Sequence, residues 1–247
     1  MFSEVINIKN NCYNMNVISF SVWGSGTSYS YGVLDNCVQI KKQMPTFEAW
    51  VYYNNTIPKE VKNSLEKLDN VRLIKMPDKN DKKNTMWRFL PAFDPKVNIL
   101  LVRDADSRIE IREIAAIIEW LQSDKDFHIM RDHPMHRRKV LAGMWGCRNQ
   151  ILVPFKKQYE DYLKKPFTLG NWIVDELFLQ NHIYPHIVQK AFIHAKHNKY
   201  ERQAKNFPNA PKNKYAGFVG CPSGHTGWIK QAFPNLPIHP LIKKRIG

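Results

Sequence analysis

Val97-Asn98-Ile99-Leu100-Leu101-Val102 is the most apolar run in the chain, and it ends at Arg103-Asp104-Ala105-Asp106-Ser107-Arg108. A stretch so poor in polar residues suits a strand covered on both faces, which is the place of a central strand in a parallel sheet. Parallel neighbours need crossover connections, so such a strand demands helices packed on either side. The remaining sequence is expected to alternate strand and helix.

It does so over about the first hundred residues. Asn16 to Val22 is apolar and β-branched and stops at Gly24-Ser25-Gly26-Thr27, a strand followed by a turn; Ser28 to Lys42 then suits a helix. Phe47 to Tyr53 is a second strand, closed by Asn54-Asn55, and Pro58 sits in the first turn of a helix over Lys59–Leu68. Val71 to Lys75 is a third strand, followed by a lysine-rich loop and the aromatic segment Trp87-Arg88-Phe89-Leu90. Ile109 to Leu121 is an amphipathic helix with Ile111, Ile114, Ile117, Ile118 and Leu121 on one face, and Phe127 to Met130 is a further strand. This is a doubly wound, Rossmann-like α/β pattern, in which ligands sit beyond the carboxyl ends of the strands. The sequence beyond is more irregular and more basic, but no flexible linker divides it off, so a single domain over residues 1–247 is expected.

Two carboxylates, Asp104 and Asp106, bracket one alanine at the end of the buried strand. There they can converge on a divalent cation, whose hard-oxygen preference leaves positions for phosphate. The alternative is that Asp104 pairs with Arg103 or Arg108, or caps the following helix. Gly24-Ser25-Gly26-Thr27-Ser28-Tyr29 lacks the third glycine of a dinucleotide loop, and neither a P-loop nor a G-x-S-x-G elbow occurs. Asp175 and Glu176 lie in an otherwise apolar helical segment, placed either to act as acid, base or charge stabiliser or to make local and solvent contacts. His133 and His136 have ligand-like spacing, but Pro134 between them disfavours a regular helix and favours loop packing. His225, in Gly224-His225-Thr226-Gly227-Trp228-Ile229-Lys230, is a candidate third metal ligand with Lys230 as a phosphate partner; the alternative is a loop histidine packed for structure.

Together these segments resemble the GT-A fold glycosyltransferases, closest to a nucleotide-sugar-transferase-like group met in bacteria and large DNA viruses. The resemblance rests on Ile18-Ser19-Phe20-Ser21-Val22-Trp23-Gly24, Trp50-Val51-Tyr52-Tyr53, Met86-Trp87-Arg88-Phe89-Leu90-Pro91, the Arg103–Arg108 form of the D-x-D motif, Met130-Arg131-Asp132-His133-Pro134, Gly143-Met144-Trp145-Gly146 and Asp175-Glu176-Leu177-Phe178-Leu179. It implies a nucleotide-sugar-binding half over about residues 16–130 and an acceptor-side half over about 131–247. It also implies a UDP- or GDP-sugar donor near Ser21, Trp23, Gly24 and Tyr31, with Arg88 and Arg103 approaching phosphate or sugar. Asp104 and Asp106, with Ala105 between them, would carry Mn²⁺ or Mg²⁺, and Asp132 with Gly143, Met144 and Trp145 would border the transferred sugar. Asp175 and Glu176 would face the acceptor, whether glycan, protein or lipid, or the anomeric carbon. The C-terminal loop departs from the H-x-x-G-x-x-K-P-W element of some retaining relatives, since here the spacing is H-x-G-x-x-K without Pro-Trp.

Charge bounds the partners. The chain carries 37 Lys+Arg against 22 Asp+Glu, a formal net charge of +15, so nucleic acid, a membrane surface or a phosphate-bearing molecule are the natural counterparts. No recognised nucleic-acid module accompanies the lysine runs, and most aromatics fall in core-like strands, which disfavours a nucleic-acid-binding protein. A haloacid-dehalogenase-like phosphatase also uses a D-x-D after an apolar strand, but here the motif starts late and an arginine intervenes. No apolar run is long enough to span a bilayer and Met1 to Asn16 lacks a signal-peptide core, so a soluble intracellular protein without a transmembrane segment is expected, with peripheral membrane contact left open. Cys12, Cys37, Cys147 and Cys221 form no C-x-x-C pair and are expected to be reduced thiols.

Overall fold

The computed structural model describes residues 15–79, 81–167, 173–209 and 218–222. Its strands are β1 (Met15–Val22), β2 (Glu48–Tyr53), β3 (Val71–Lys75), β4 (Val97–Arg103), β5 (Phe127–Arg131), β6 (Met144–Arg148) and β7 (Ala191–Ala195). They form one seven-stranded sheet in the order β3-β2-β1-β4-β6-β5-β7. All pairings are parallel except those of β6, which runs antiparallel to both β4 and β5. The α/β class with a mostly parallel sheet read from the sequence is the class observed, and Val97–Arg103 is its central strand.

Helices α1 (Thr27–Gln43), α2 (Lys59–Leu65) and α3 (Ile111–Leu121) cover one face. Their core includes Ile18, Phe20 and Val22 of β1 with Ile99 and Leu101 of β4. The other face takes Val17, Leu100 and Val102 against Trp87, Phe89, Trp145, Tyr159 and Phe178. The alternation of side chains along β1 and β4 between two apolar layers is the physical reason that both strands read as nearly continuous apolar runs. On this second face, 3₁₀ turns over Lys82–Phe93 replace a regular helix, and α4 (Lys156–Lys164) and α5 (Val174–Phe178) pack beside them. From α5 the chain passes through a π turn, Leu179–Ile183, into α6 (Tyr184–Ile187). Pro185, which lacks an N–H to continue the ladder, follows directly.

Three sequence expectations change. The resemblance implies a turn at Gly143–Gly146, but Met144-Trp145-Gly146 belongs to strand β6, and Ala191–Ala195, unassigned in the sequence reading, is a parallel edge strand. The buried face of α3 is Glu113, Ile114, Ala116, Ile117 and Trp120, while Ile111 is 43% exposed. The helix is rotated because Glu113 turns inward to a buried ion pair with Arg103, whose guanidinium also donates to the Val102 and Trp145 carbonyls. Removing either partner would strand a charge in the core, at a cost of about 3–5 kcal/mol. Among the described residues no helix is long and apolar enough to cross a membrane.

Candidate functional site

The strand order places a switch point between β1 and β4. The chain leaves β1 toward β2 on one side, and β4 opens the other half of the sheet. With Ser19 level with Val102, both strands end at the same edge, and Arg103 of β4 pairs with Met144, the first residue of β6. Residues 23–24, 104–106 and 143 therefore converge just beyond this edge, where open α/β sheets form their ligand crevice.

Arg88 occupies the centre of that crevice. Its backbone N–H donates to Ser21 Oγ at 2.8 Å, and the Ser21 hydroxyl donates to the Thr85 carbonyl at 3.3 Å. Ser21 thus clamps the 3₁₀ turns to the end of β1 and aims Arg88 across the switch point. The guanidinium is buried, donating through Nη1 to Asp104 and through Nη2 to Asp175 Oδ2 at 2.9 Å. Asp175 is as buried as Arg88, whereas the Asp104 side chain is 43% exposed. One arginine therefore binds two carboxylates from opposite sides of the site, holding one in the interior and presenting the other to solvent.

Gly143 explains why Asp104 sits where it does. A Cβ on Gly143 would lie 2.7 Å from Asp104 Oδ1 and closer still to Oδ2 and Cγ. The carboxylate thus rests on the bare backbone that only glycine provides. Gly32 does the same for the loop itself: α1 approaches the Ala105 carbonyl so closely that any side chain there would collide with it. The Asn36 amide donates to the Ser107 carbonyl at 2.7 Å, and Arg108 pairs with Asp35 at 2.8 Å. The D-x-D loop is stapled to α1 at several points, and its shape is set by the fold.

Asp104 and Asp106 both act on one neighbour. The Tyr29 hydroxyl is held above its ordinary pKa by burial first and then by the charges of Asp106 and Asp104, with Arg88 opposing. Tyr29 is 47% exposed in the first turn of α1, so an accessible aromatic ring stands beside both acids. Glu176 is pushed up to about 7 by burial and by the charge of Asp175, with Arg138, 3.4 Å away, opposing. Its backbone N–H donates to Asp175 Oδ1 at 2.9 Å. Four carboxyl groups, Asp104, Asp106, Asp175 and Glu176, thus meet two guanidiniums, Arg88 and Arg138.

The crevice gathers some sequence candidates and sends others elsewhere. Asp104, Asp106, Asp175, Glu176, Arg88, Ser21 and Gly143 belong to it. Trp23 packs edge-on against Trp87 with centroids 6.0 Å apart, and Gly24, with φ +79°, donates its N–H to Thr56 Oγ1. Tyr31 points into the core and donates to Glu60 Oε1 at 2.8 Å; on a helix it lies about 200° around from Tyr29. Arg103 is committed to Glu113, and Ala105 is buried under α1. Trp145 stacks on Phe127 in the core, and Met144 is buried against Gly220. Asp132 is buried, paired with Arg112 at 3.0 Å and accepting from the Val219 N–H at 2.9 Å. His136 Nδ1 accepts from the N–H groups of Asp132 and His133, at 3.1 and 3.2 Å, which is the loop-packing alternative. His225 and Lys230 lie outside the described residues. Tyr29 and Arg138 were not singled out from the sequence; the signal for Tyr29 was its place in the first helical turn after β1.

For a divalent cation the described residues offer two carboxylates, Asp104 and Asp106, and no group of three or more His, Cys, Asp or Glu close enough to hold an ion. That donor set fits a cation that takes one or two protein carboxylates and completes its shell with substrate phosphate and water, as Mg²⁺ does. It does not fit a dedicated protein cage.

No protein-family model matches the chain, and no curated protein matches it. Among solved structures, similarity is found to a 4-diphosphocytidyl-2C-methyl-D-erythritol synthase from Anaerococcus prevotii, at 16% identity over 75% of this chain and 90% of that one, with TM-score 0.42. A glycosyltransferase involved in glycosylation of the major capsid of PBCV-1 matches at 11% identity over 73% of this chain and 81% of that one, with TM-score 0.47. A galactosyltransferase solved with donor and acceptor sugar analogs matches at 11% identity over 92% and 99%, with TM-score 0.42. Likeness at this level assigns neither an activity nor a substrate to the chain.

Proposed function

We propose that the chain is a glycosyltransferase of the GT-A type that moves a sugar from a UDP- or GDP-sugar to an acceptor with the help of a divalent metal. The observation that carries the reading is Arg88, buried at the β1/β4 switch point between the half-exposed Asp104 and the buried Asp175. With Asp104 held out to solvent, this supports a site built to meet a cation and, through it, a phosphate-bearing ligand where α/β sheets place theirs.

In this reading Asp104 and Asp106 hold Mn²⁺ or Mg²⁺, which supplies Lewis-acid stabilisation of a departing nucleoside diphosphate. The chain's own residues do the rest. Arg88 fixes the Asp104 carboxylate on Gly143 by direct pairing. Asp175 is a positioning residue, since its Oδ2 holds Arg88 and its Oδ1 holds the Glu176 backbone. Glu176 is the proton acceptor: a carboxyl group titrating at about 7 can take a proton from an acceptor hydroxyl near neutral pH. Tyr29, exposed beside both acids, borders the donor. His225 and Lys230, the candidate third metal ligand and phosphate partner, lie outside the described residues.

Calorimetry with UDP- and GDP-sugars, with and without Mn²⁺, tests the proposal. Binding of at least one donor that requires the metal is expected. Absence of metal-dependent binding of every donor by folded protein overturns it.

A further inference from the structure

Strands β5 and β7 are parallel, with Arg131 level with Ala195, so the loops that follow them leave the same end of the sheet. Those loops are tied together. The Lys196 N–H donates to the Arg131 carbonyl at 2.9 Å, and the Asn198 amide donates to the Pro134 and His136 carbonyls at 2.9 and 3.0 Å. The Tyr200 hydroxyl donates to the Arg137 carbonyl at 2.8 Å. One continuous ledge results, and it reaches the crevice through Arg138, which pairs with Glu176 at 3.4 Å.

The ledge is strongly cationic, and among the described residues the acid that its charges reach is the buried Asp132, which feels Lys196 and His197. Residues 133–140 and 196–200 contain no Asp or Glu. Arg137, Lys139, Lys196 and Lys199 are exposed, and among the described residues none has an acidic partner within 4.0 Å. The flanking acids are already engaged: Asp132 is buried on Arg112 and Glu201 is buried on Arg131. Elsewhere some surface lysines are paired, as Lys41 is with Asp69 and Lys75 with Asp78. Loops pinned by four hydrogen bonds cannot spread to relax the repulsion among these charges, whereas a bound anion relieves it.

We infer that this ledge is the acceptor-side binding site and that the group it recognises is a phosphate ester. A carboxylate brings one charge, but a phosphomonoester brings nearly two and three acceptor oxygens, which matches an Arg–Lys cluster better. The phosphate comes either from a soluble phosphorylated compound or from a lipid headgroup. Met135, 64% exposed at the tip of the ledge, and Tyr200, 48% exposed, give the lipid source an apolar foothold. The acceptor role rests on the glycosyltransferase reading; the phosphate site itself does not.

The test uses the full chain without nucleotide or metal. Glycerol 3-phosphate is titrated calorimetrically, and vesicles of phosphatidylcholine doped with phosphatidic acid are sedimented with the protein. Binding to either probe supports the site, the first pointing to a soluble phosphate and vesicles alone pointing to a lipid. The double variant Arg137→Gln/Lys199→Gln is expected to weaken that binding at least about tenfold. Lys41→Gln/Lys75→Gln removes the same formal charge on other elements and is expected to change it by no more than about twofold. Circular dichroism confirms that both variants fold. No binding of either probe, equal loss in both double variants, or tighter binding of a single-stranded oligonucleotide than of either probe overturns the inference. Failure of donor calorimetry with phosphate binding intact would remove the glycosyltransferase reading and leave this site standing.

Discussion

Gly143→Ala is the sharpest perturbation of the crevice, because it adds one methyl group beneath the Asp104 carboxylate. The added carbon would meet Asp104 Oδ1 at 2.7 Å, with Oδ2 and Cγ closer. Comfortable non-bonded contact requires roughly 3.5 Å, so the carboxylate must retreat by about 1 Å. The Asp104 side chain is 43% exposed and can swing outward, but doing so breaks its pairing with Arg88. The expected stability cost is therefore that of modest overpacking, about 1–3 kcal/mol. A displacement of about 1 Å in a positioned catalytic group costs about a hundredfold in turnover, and that is the loss expected. Gly26→Ala serves as the control, since a Cβ there meets only the Tyr29 ring, at an ordinary 3.5 Å. The assay is sugar release or transfer from a nucleotide-sugar, measured beside thermal unfolding of each variant. Gly143→Ala with turnover within about twofold of the parent would refute the argument that Asp104 acts from this position.

Arg88→Met leaves Asp175 buried without its partner, and urea unfolding should show a loss of about 3–5 kcal/mol; a loss below about 1 kcal/mol would mean that Arg88 does not compensate Asp175. Glu113→Ala should cost a similar amount by stranding Arg103, while metal-dependent donor binding persists in the protein that remains folded. Glu176, raised to about 7, should give turnover an acid limb that rises with pH through that value, and Glu176→Gln should abolish both activity and limb; a retained limb would assign it to another group. The same raised carboxyl group, with Glu110 raised to about 8, binds protons more tightly folded than unfolded. Its stabilisation is full below the ordinary pKa of glutamate, about 4.3, and is lost as pH rises through about 8; the buried imidazoles of His128, His136 and His194, held below their ordinary pKa by burial, act in the opposite sense up to about 6.5, so urea midpoints should fall between about pH 6.5 and 8. Midpoints that rise instead would contradict the buried state of these groups.

The parallel half of the sheet was legible because β1, β2 and β4 bury both faces, which leaves runs such as Val97–Val102 with little polarity to confuse the pattern. Strand β6 was not, since Met144-Trp145-Gly146-Cys147-Arg148 is short, contains glycine and runs against its neighbours. Strand β7 places His194 on a buried histidine, His128, at 2.8 Å, and a polar residue in a short segment masks its strand character. Within the site, Asp104 and Asp106 announced themselves by spacing and by their place after the central strand. The partner of Asp104 did not: Arg103 and Arg108 are close in sequence, but strand alternation turns Arg103 inward to Glu113, and Arg108 is taken by Asp35. Arg88 reaches Asp104 across 16 residues, and Asp175 joins from 87 residues away, contacts that only the assembled sheet edge creates. Trp145, placed near the sugar by resemblance, has its ring stacked on Phe127 in the core. Gly143 was set beside the transferred sugar by resemblance, and what rests on it is the Asp104 carboxylate itself.

A crystal structure of the chain with UDP or GDP and Mn²⁺ tests the central claim most directly, because manganese can be located by its anomalous scattering. The account predicts a manganese peak bonded to Asp104 or Asp106, with the diphosphate beyond the ends of β1 and β4 beside Tyr29. Nucleotide and manganese bound away from that edge, with Asp104 still closed on Arg88 and Gly143, would contradict it.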